Sequence, residues 1–426
     1  MNESTLRDSE GSVPGVLVFV ESNLTGTGVQ AIHLARAMGL QTVFLSGQLE
    51  RYNADPKAAE AIRTQVDTVL ECDTQDPVAM EKCLVEHGVQ PTGVMTVMEY
   101  FVPSAAALAR RLGLPGLSPD AAQAARDKYR TRVACAEKSV PVPAFQFVGS
   151  VDEVDAAIDR VGLPCVVKPV DESASIGVTL CRTRTQVAER IADLASRTVN
   201  SKGQRHEPGG LVEECLFGHE VSVETFTHDG RTTVLGVTDK LLGPTPYFLE
   251  LGHTFPSVLP EGVTRAVADT TRAALQAIGF DFGPAHVELK LTERGPVLIE
   301  INARTGGDFI PDLVRHAIGI PLLEQSIIAH TGGVPDLEPR RDGGAAIRFV
   351  TGRSGTVASA TGHDLAERFP SVVAFRMKAV PGAVTAWPTN SHDRLGHVMT
   401  SEATPAQAAL HADAALAHLT VHYLSE

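Results

Sequence analysis

The chain lacks the sequence features of several protein classes. Its six cysteines are scattered without a C-x-x-C pair, which argues against a zinc cluster or a disulfide framework. No apolar run reaches the roughly 18 residues of a membrane-spanning helix. The polar first residues, MNESTLRDSEGS, lack the apolar core of a signal peptide. We therefore expect a cytoplasmic protein that does not bind membranes.

Basic residues are also in short supply. Lys and Arg number 37 against 51 Asp and Glu, so the net charge is -14. Such a chain repels phosphate backbones, and we expect no nucleic-acid partner, although a local basic pocket stays compatible with this charge. With 426 residues and 43% hydrophobic content, the chain is long enough for two or three domains.

Two familiar nucleotide-binding motifs are missing. The sequence has no G-x-x-x-x-G-K-[ST] loop. TGTG after the strand VLVFV supplies only Gly26 and Gly28 of a dinucleotide loop, and TVFLSG ends without an acidic residue for a ribose. A nicotinamide-dependent oxidoreductase is therefore the least favoured function.

What is present is a regular alternation of strands and helices. After a disordered tail at residues 1–12, this alternation predicts an N-terminal parallel α/β domain at 13–118. A second domain covers 119–335 and includes a small subdomain at about 141–212. A Pro/Gly-rich linker then leads to a C-terminal α+β segment at 336–426. The predicted fold class is thus mixed, α/β and α+β.

A β-hairpin is predicted in AHVELKLTERGPVLIEIN, where polar and apolar residues alternate. A three-residue loop at Glu293–Gly295 fits a type I turn with a glycine bulge. This register places Glu288 opposite Glu300 and His286 opposite Asn302.

Two carboxylates that face each other across a strand pair have Cβ atoms about 5 Å apart. Their repulsion favours a cation between them, and carboxylate and amide oxygens suit Mg²⁺. The alternative is that this polar face simply meets solvent.

A phosphate-binding element is indicated by Lys168, which ends the strand CVVK before the small-residue loop SASIG (173–177). A lysine beside such a loop can hold phosphates through its charge and through backbone N–H groups. Alone, this pattern fits an ordinary surface lysine as well.

The order of these elements resembles the ATP-grasp superfamily, and within it the carboxylate–amine ligases such as the bacterial L-amino-acid (dipeptide) ligases. The resemblance rests on Lys128, Lys168 with SASIG, LVEECLFGHEVSVE, Glu288, Glu300, Asn302 and Arg304, in that order. It covers almost the whole chain. It implies an ATP-grasp fold with a pre-ATP-grasp domain, a lid subdomain at about 141–212, and a C-terminal segment similar to that of biotin carboxylases.

The resemblance implies an ATP site. Its residues would be Lys128, Lys168, Ser173, Ser175, Gly177, Glu213, Glu214, Cys215, Leu216 and Glu220. The two lysines would contact phosphates under a flap at 173–177. Glu213 and the backbone of 214–216 would hold the adenine edge, and Glu220 the ribose.

The resemblance also implies the metal and catalytic residues. Glu288 and Glu300 would bridge two Mg²⁺ ions, with Asn302 on the second, and Mn²⁺ is an expected substitute. Arg304 would steady an acyl phosphate, and Lys168 would act with it in catalysis.

The substrate site is assigned more broadly. Its candidates are Glu99, His253, Arg304, Gly306, Gly307 and Arg348. Glu99 follows the strand GVMTV, at the carboxyl end of a parallel sheet, where ligands usually bind. The neighbouring region KLLGPTPYFLELGHTFPS does not identify the substrate.

The resemblance implies an ATP- and Mg²⁺-dependent ligase that joins the carboxylate of a small molecule to an amine. An amino acid is the favoured candidate for this small molecule. A homodimer is the usual expectation for the family. One alternative is a carboxylase or purine-pathway-type ligase that acts on bicarbonate or another small acid. The other is a nucleotide-binding protein without turnover.

Overall fold

The computed structural model describes residues 15–23, 27–243 and 249–424. The predicted tail lies outside these residues, as do parts of the TGTG loop and of the region before His253. Among the described residues, no helix is both long enough and apolar enough to cross a bilayer.

The N-terminal part is a parallel sheet with helices packed against it. Its elements are β1 (Val16–Val20), α1 (Thr27–Ala37), β2 (Gln41–Ser46), α2 (Pro56–Gln65), β3 (Thr68–Glu71), α3 (Pro77–Glu86), β4 (Gly93–Met95) and α4 (Val102–Arg111). The strand order is β3–β2–β1–β4. Runs such as VLVFV are apolar throughout because helices cover both faces of a parallel sheet. A short 3₁₀ helix, Glu99–Phe101, follows β4 and places Glu99 beyond the carboxyl edge of the sheet.

Two helices, α5 (Pro119–Arg126) and α6 (Lys128–Glu137), connect this part to a smaller sheet. The smaller unit comprises β5 (Phe145–Val148), α7 (Val154–Val161), β6 (Cys165–Lys168), β7 (Thr179–Cys181), α8 (Arg184–Ser196) and β8 (Gly210–Glu214). Its strands are antiparallel in the order β5–β8–β6–β7. We call this unit the lid. The predicted domain limits themselves stay predictions.

The largest sheet has eight antiparallel strands and contains the hairpin. Its elements and the helices among them are β9 (His219–His228), β10 (Arg231–Leu242), β11 (Glu250–Phe255), α9 (Glu261–Ala277), β12 (Gly283–Thr292), β13 (Gly295–Asn302), α10 (Ile310–Ile318), α11 (Leu322–His330), β14 (Gly344–Val350), β16 (Val372–Met377) and β18 (Gly396–Glu402). The strand order is β13–β12–β9–β10–β11–β14–β18–β16. The segment that starts at residue 336 therefore extends the sheet of the hairpin.

The remaining C-terminal elements pack at the far end of this sheet. They are β15 (Gly355–Thr361), α12 (His363–Glu367), β17 (Val384–Thr385), α13 (Pro405–Ala417) and β19 (Thr420–Tyr423). The three strands form a small sheet in the order β17–β15–β19. Thr404 begins α13 by accepting a hydrogen bond from the backbone N–H of Gln407, a common N-cap.

Candidate active site

The hairpin β12–β13 has the predicted pairing at its polar face. Glu288 lies opposite Glu300, and His286 lies opposite Asn302. Strand alternation sends the side chains of these residues to one face of the sheet, while Val287 and Leu289 enter the core. The sequence prediction of two facing carboxylates is confirmed.

The predicted turn, however, is wrong. Thr292 pairs with Gly295, so the loop has two residues rather than three, and a bulge at Ile299 restores the register nearer the site. The backbone carbonyl of Ile299 accepts a hydrogen bond from Arg132 Nη2 at 2.5 Å. The bulge thus gives a buried arginine a backbone partner.

Each facing carboxylate has a lysine partner from a different element. Lys128 Nζ lies 2.8 Å from Glu300, and Lys240 Nζ lies 3.2 Å from Glu288. Burial opposes ionisation of both carboxylates, but these lysines outweigh it and hold the pKa of Glu288 and of Glu300 below the ordinary value. The carboxylates therefore stay charged although they face each other.

Lys240 is the centre of an acidic cluster that the sequence analysis missed. Its Nζ lies 2.8 Å from Glu220 and 3.3 Å from Glu250, in addition to its contact with Glu288. The side chain is 3% exposed. Burial would lower the pKa of Lys240, but the surrounding carboxylates raise it well above its ordinary value. This lysine is a fixed positive charge among the predicted ribose and metal ligands.

Lys168 also has a charged partner. Its Nζ lies 2.5 Å from Glu213, whose other carboxylate oxygen accepts from Arg132 Nε at 2.6 Å. Burial lowers the pKa of Lys168, and Glu213 partly offsets this effect. Glu213 is predicted to hold the adenine edge, and this role stays a prediction. In this structure its carboxylate is enclosed between Arg132 and Lys168 and orients Lys168.

The predicted flap follows β6 and has two different parts. Its tip is exposed at Ser175, where Ala174 and Ser175 adopt left-handed backbone conformations with φ of +54° and +58°. Gly177 has φ +80°, and a Cβ there would lie 3.1 Å from Pro169, so this position favours glycine. Ser173 at its base is tied down, as its N–H donates to Tyr100 Oη at 3.2 Å.

The segment from Glu214 to Leu216 connects the lid to β9. Cys215 and Leu216 are half-buried, and both carboxylate oxygens of Glu214 accept from Arg294 Nη2 at 2.8 Å. Glu220 is the second residue of β9 and contacts both Lys240 and Lys290. The predicted adenine and ribose residues therefore line the junction between lid and large sheet, where their roles stay predictions.

Arg304 lies two residues after β13 and connects the end of this strand to the 3₁₀ helix Glu99–Phe101. Its Nε lies 2.9 Å from Glu99 Oε2, and its Nη2 donates to Asn302 Oδ1 at 3.3 Å. Glu99 is 4% exposed, and burial raises its pKa while Arg304 opposes the rise. Two predicted substrate residues, far apart in sequence, are thus in contact.

Gly306 and Gly307 follow Arg304 directly. A Cβ on Gly306 would lie 3.0 Å from His286 Nδ1 and 3.2 Å from Glu224 Oε2, so the glycine allows close approach of the loop to this pair. His286 bridges Glu224 at 2.9 Å and Glu288 at 3.1 Å. Burial would lower the pKa of His286, but these carboxylates raise it to about 10. His286 is therefore a cation behind Glu288.

His253 lies in a second charged cluster beside the hairpin. Its Nε2 is 3.5 Å from Asp308, and ligand atoms of Glu250, His253 and Asp308 lie within 4.8 Å of one another. The Asp308 carboxylate is already bound by both terminal nitrogens of Arg394. We define Asp308, Arg394 and His253 as the Asp308 cluster.

Arg348 is not brought to the site. Its Nε lies 2.6 Å from Asp413 on α13, and its Nη1 donates to the backbone carbonyl of His253 at 3.2 Å. Its neighbours Ile347 and Phe349 belong to the core formed with α10. Because strand alternation turns Arg348 to the opposite face, the expectation that it contacts substrate is wrong in this structure.

Most of the missed residues are cations with partners distant in sequence. The sequence contains a signal for Arg132, because this residue lies one helical turn after the predicted site residue Lys128 on α6. Lys240 lies opposite Glu220 across the β9–β10 hairpin, and the Asp229-Gly230 turn between these strands is a local signal for that pair. Arg394 has no such local signal, because its partner Asp308 is 86 positions away.

Comparison with known proteins identifies three matching domain families. The ATP-grasp N-terminal domain matches residues 32–116, the ATP-grasp domain 161–312, and the L-amino acid ligase C-terminal domain 2 residues 348–423. Uncharacterized protein y4rH of Sinorhizobium fredii is 29% identical over 385 residues, which cover 90% of this chain and 78% of that protein.

Two ligases are among the similar proteins. Alanine–anticapsin ligase of Bacillus subtilis is 31% identical over 240 residues, which cover 52% of this chain but only 50% of that protein. The crystal structure of an L-amino acid ligase from Bacillus licheniformis has a TM-score of 0.78 at 22% identity, covering 97% of this chain and all of that one. The predicted ATP-grasp fold and the resemblance to amino-acid ligases are confirmed.

Proposed function

Because the chain belongs to the ATP-grasp ligase family, we propose that it uses ATP to activate the carboxylate of an amino acid and joins that acid to an amine. The observation that carries the proposal is the convergence of charge at one end of the hairpin. Arg304, which contacts Glu99 and Asn302, stands beside the facing Glu288 and Glu300. Lys128 on α6 contacts Glu300, and the charge of Lys168 at the end of β6 also acts on Glu300.

The hairpin fits Mg²⁺, which the ATP-grasp family uses together with ATP. Glu288, Glu300 and Asn302 offer the hard oxygen atoms that Mg²⁺ prefers, and both carboxylates are held ionised by their neighbours. Mg²⁺ bound there would neutralise charge on the transferring phosphoryl group. A second ion, substitution by Mn²⁺, a homodimer and a cytoplasmic location stay predictions of this proposal.

In the first step, a carboxylate oxygen of the acid attacks the γ-phosphorus of ATP, the bond to the β-phosphate oxygen breaks, and ADP leaves. The phosphoryl group carries spreading negative charge, which Lys128 and Lys168 are positioned to offset. In the second step, the amine nitrogen attacks the acyl carbon, the amine loses a proton, and phosphate leaves. Arg304 would stabilise the oxyanion that develops on the carbonyl oxygen of the acyl group.

The test is phosphate release from ATP and Mg²⁺, screened over the amino acids singly and in pairs, with product masses measured in parallel. We expect release that depends on the amino acid, together with ADP and a product lighter by one water than the pair. An Arg304→Met variant serves as the control for contaminating ATPase activity. Release with no amino acid would contradict the proposal, and release with bicarbonate alone would support the carboxylase alternative.

A further inference from the structure

The base of the flap is attached to the N-terminal part of the chain through Tyr100. Tyr100 Oη donates to Glu172 Oε2 at 2.8 Å and accepts from the backbone N–H of Ser173 at 3.2 Å. Glu172 is 4% exposed and Tyr100 is 8% exposed, so both groups are removed from water. A hydrogen bond to a carboxylate is stronger than one between neutral groups, and burial adds to that strength.

A second loop of the lid completes this contact. The backbone N–H of Ser201 donates to Glu172 Oε1 at 2.8 Å, and its hydroxyl donates to Glu172 Oε2 at 2.7 Å. Gln204, in the same loop, donates to the backbone carbonyl of Tyr100 at 2.9 Å. Residues 200–204 therefore hold Glu172 in place.

Basic side chains from α5 and α6 contact the base of the flap from the other side. Lys128 Nζ donates to the backbone carbonyl of Glu172 at 2.7 Å, while the same atom lies 2.8 Å from Glu300. The guanidinium of Arg126 lies 4.5 Å from the centre of the Tyr100 ring and also donates to the Glu172 carbonyl. The flap base is thus connected to a predicted metal ligand as well as to Tyr100.

Tyr100 is adjacent to Glu99, the partner of Arg304. Both residues belong to the 3₁₀ helix Glu99–Phe101, in which successive residues point in different directions. One short helix therefore contacts the arginine at the acyl site through Glu99 and the flap base through Tyr100. Any shift of this helix changes both contacts together.

We propose that Tyr100 is a positioning residue that holds the flap closed over the phosphates while Arg304 holds the activated acid. The proposal rests on the proposed ligase function. Closure would protect the acyl phosphate from water, whose attack would give the free acid and phosphate and waste the ATP. Burial raises the pKa of Tyr100 to about 12, so the hydroxyl keeps its proton for Glu172 at neutral pH.

The test is Tyr100→Phe, which removes the hydroxyl and keeps the ring beneath Arg126. Phosphate and amide product are measured in the same reaction. We expect kcat for amide formation to fall by at least roughly tenfold, because the hydroxyl loses its bond to the Glu172 carboxylate as well as the bond from the Ser173 N–H, and phosphate released per amide to rise severalfold. We expect KM for the amine to stay unchanged.

The matched control is Tyr129→Phe on α6. The Tyr129 hydroxyl has no hydrogen bond to any residue that the structure describes, and its ring rests against Phe147 with 5.6 Å between ring centres. This variant should keep the ratio of phosphate to amide. Combining Glu172→Gln with Tyr100→Phe should raise the ratio of phosphate to amide by less than the two single changes predict together, because both remove the bond between the Tyr100 hydroxyl and Glu172.

A second readout separates this proposal from the ligase function. Hydrogen exchange of residues 169–178 with ATP and Mg²⁺ present should be faster in Tyr100→Phe than in the unchanged protein. If both the exchange and the ratio of phosphate to amide stay unchanged, the proposal is overturned. If the unchanged protein makes no amide with any pair, the proposed function fails, and the exchange experiment alone decides the role of Tyr100.

Discussion

Two buried charge clusters on the same sheet are built in different ways. At the hairpin, Glu288 and Glu300 are each matched by a lysine, Lys240 and Lys128, and each lysine also has another oxygen partner. In the Asp308 cluster, Arg394 binds both oxygens of one carboxylate and lies 3.7 Å from the centre of the Phe349 ring.

The difference follows from the cations. A lysine is a point charge on a flexible stem and can exchange one oxygen partner for another, whereas the planar guanidinium matches a carboxylate at two points and stacks on a ring. We propose that the hairpin is arranged to admit a ligand cation between its carboxylates. The Asp308 cluster is arranged to attach the C-terminal segment to the loop after β13.

The largest effect is expected from a change at Glu300 in the hairpin. Glu300→Gln keeps the shape and one oxygen but removes a charged metal ligand, so we expect ligase activity to fall on the order of 10²–10³-fold. The fold should persist, because Lys128 keeps its bond to the Glu172 carbonyl. Activity and thermal unfolding would be measured on the same preparation.

The control for Glu300→Gln is Glu293→Gln, the same change at the exposed turn of the same hairpin. It should leave activity unchanged. Normal binding of ATP with Mg²⁺ and normal turnover in Glu300→Gln would show that Glu300 is not a metal ligand.

The opposite behaviour is expected in the Asp308 cluster. Asp308→Asn leaves the guanidinium of Arg394 buried without a countercharge, so we expect the free energy of unfolding to fall by roughly 3–4 kcal/mol. Asn tolerates the left-handed backbone at this position, where φ is +51°, so the change tests charge and not backbone strain. Urea unfolding with and without Mg²⁺ should give the same loss.

Asp312→Asn on α10 is the matched control for Asp308→Asn. Asp312 contacts only a half-exposed Arg315 at 3.6 Å among the ion pairs of the described residues, so its loss should stay below about 1 kcal/mol. A recovery of Asp308→Asn by Mg²⁺ would show that this cluster, too, exchanges cations.

Lys240→Met tests whether a bound cation can replace a lysine in the hairpin cluster. Without the ammonium group, Glu220, Glu250 and Glu288 repel one another, and we expect unfolding to become easier by roughly 2–3 kcal/mol in the absence of Mg²⁺. Mg²⁺ should restore part of this loss because a bound dication replaces the missing charge. Equal shifts by Mg²⁺ in the unchanged protein and in Lys240→Met would contradict the exchange of partners.

Lys82→Met provides the control for Lys240→Met. Lys82 is 75% exposed and pairs with Glu86 one helical turn away. Surface pairs of this kind contribute about 0.3–0.5 kcal/mol, so neither stability nor its dependence on Mg²⁺ should change measurably.

The sequence predicted the hairpin cluster better than the Asp308 cluster for a physical reason. Pairing of Glu288 with Glu300 depends on local alternation and a short turn, and the error in turn length was cancelled by the bulge at Ile299. Asp308 and Arg394 are 86 positions apart, and their contact depends on how β14 and β18 join the sheet. No periodicity encodes such a contact. Arg348 was misassigned for the same reason, because its face was unknown until the strand order was known.

The smallest expected effect concerns His397, which packs on Phe309 beside the Asp308 cluster with ring centres 4.5 Å apart. Burial, with Arg376, Lys378 and Arg394 nearby, lowers the pKa of His397 to about 4, and Asp308 only partly opposes this shift. The folded protein thus keeps His397 neutral, while the unfolded chain takes up a proton below about pH 6.5. The stabilisation is complete above pH 6.5 and is lost as pH falls towards 4.

His397→Gln removes this proton uptake. Between pH 7 and pH 5, the variant should lose roughly 1–2 kcal/mol less of its unfolding free energy than the unchanged protein, as measured by urea unfolding at both pH values. We expect Lys240 to leave Glu288 readily. If Arg394 could leave Asp308 as readily, the freed Asp308 carboxylate could pair with His397 when His397 takes up a proton. The two proteins would then lose stability equally, and the Asp308 cluster would have to be regarded as exchangeable.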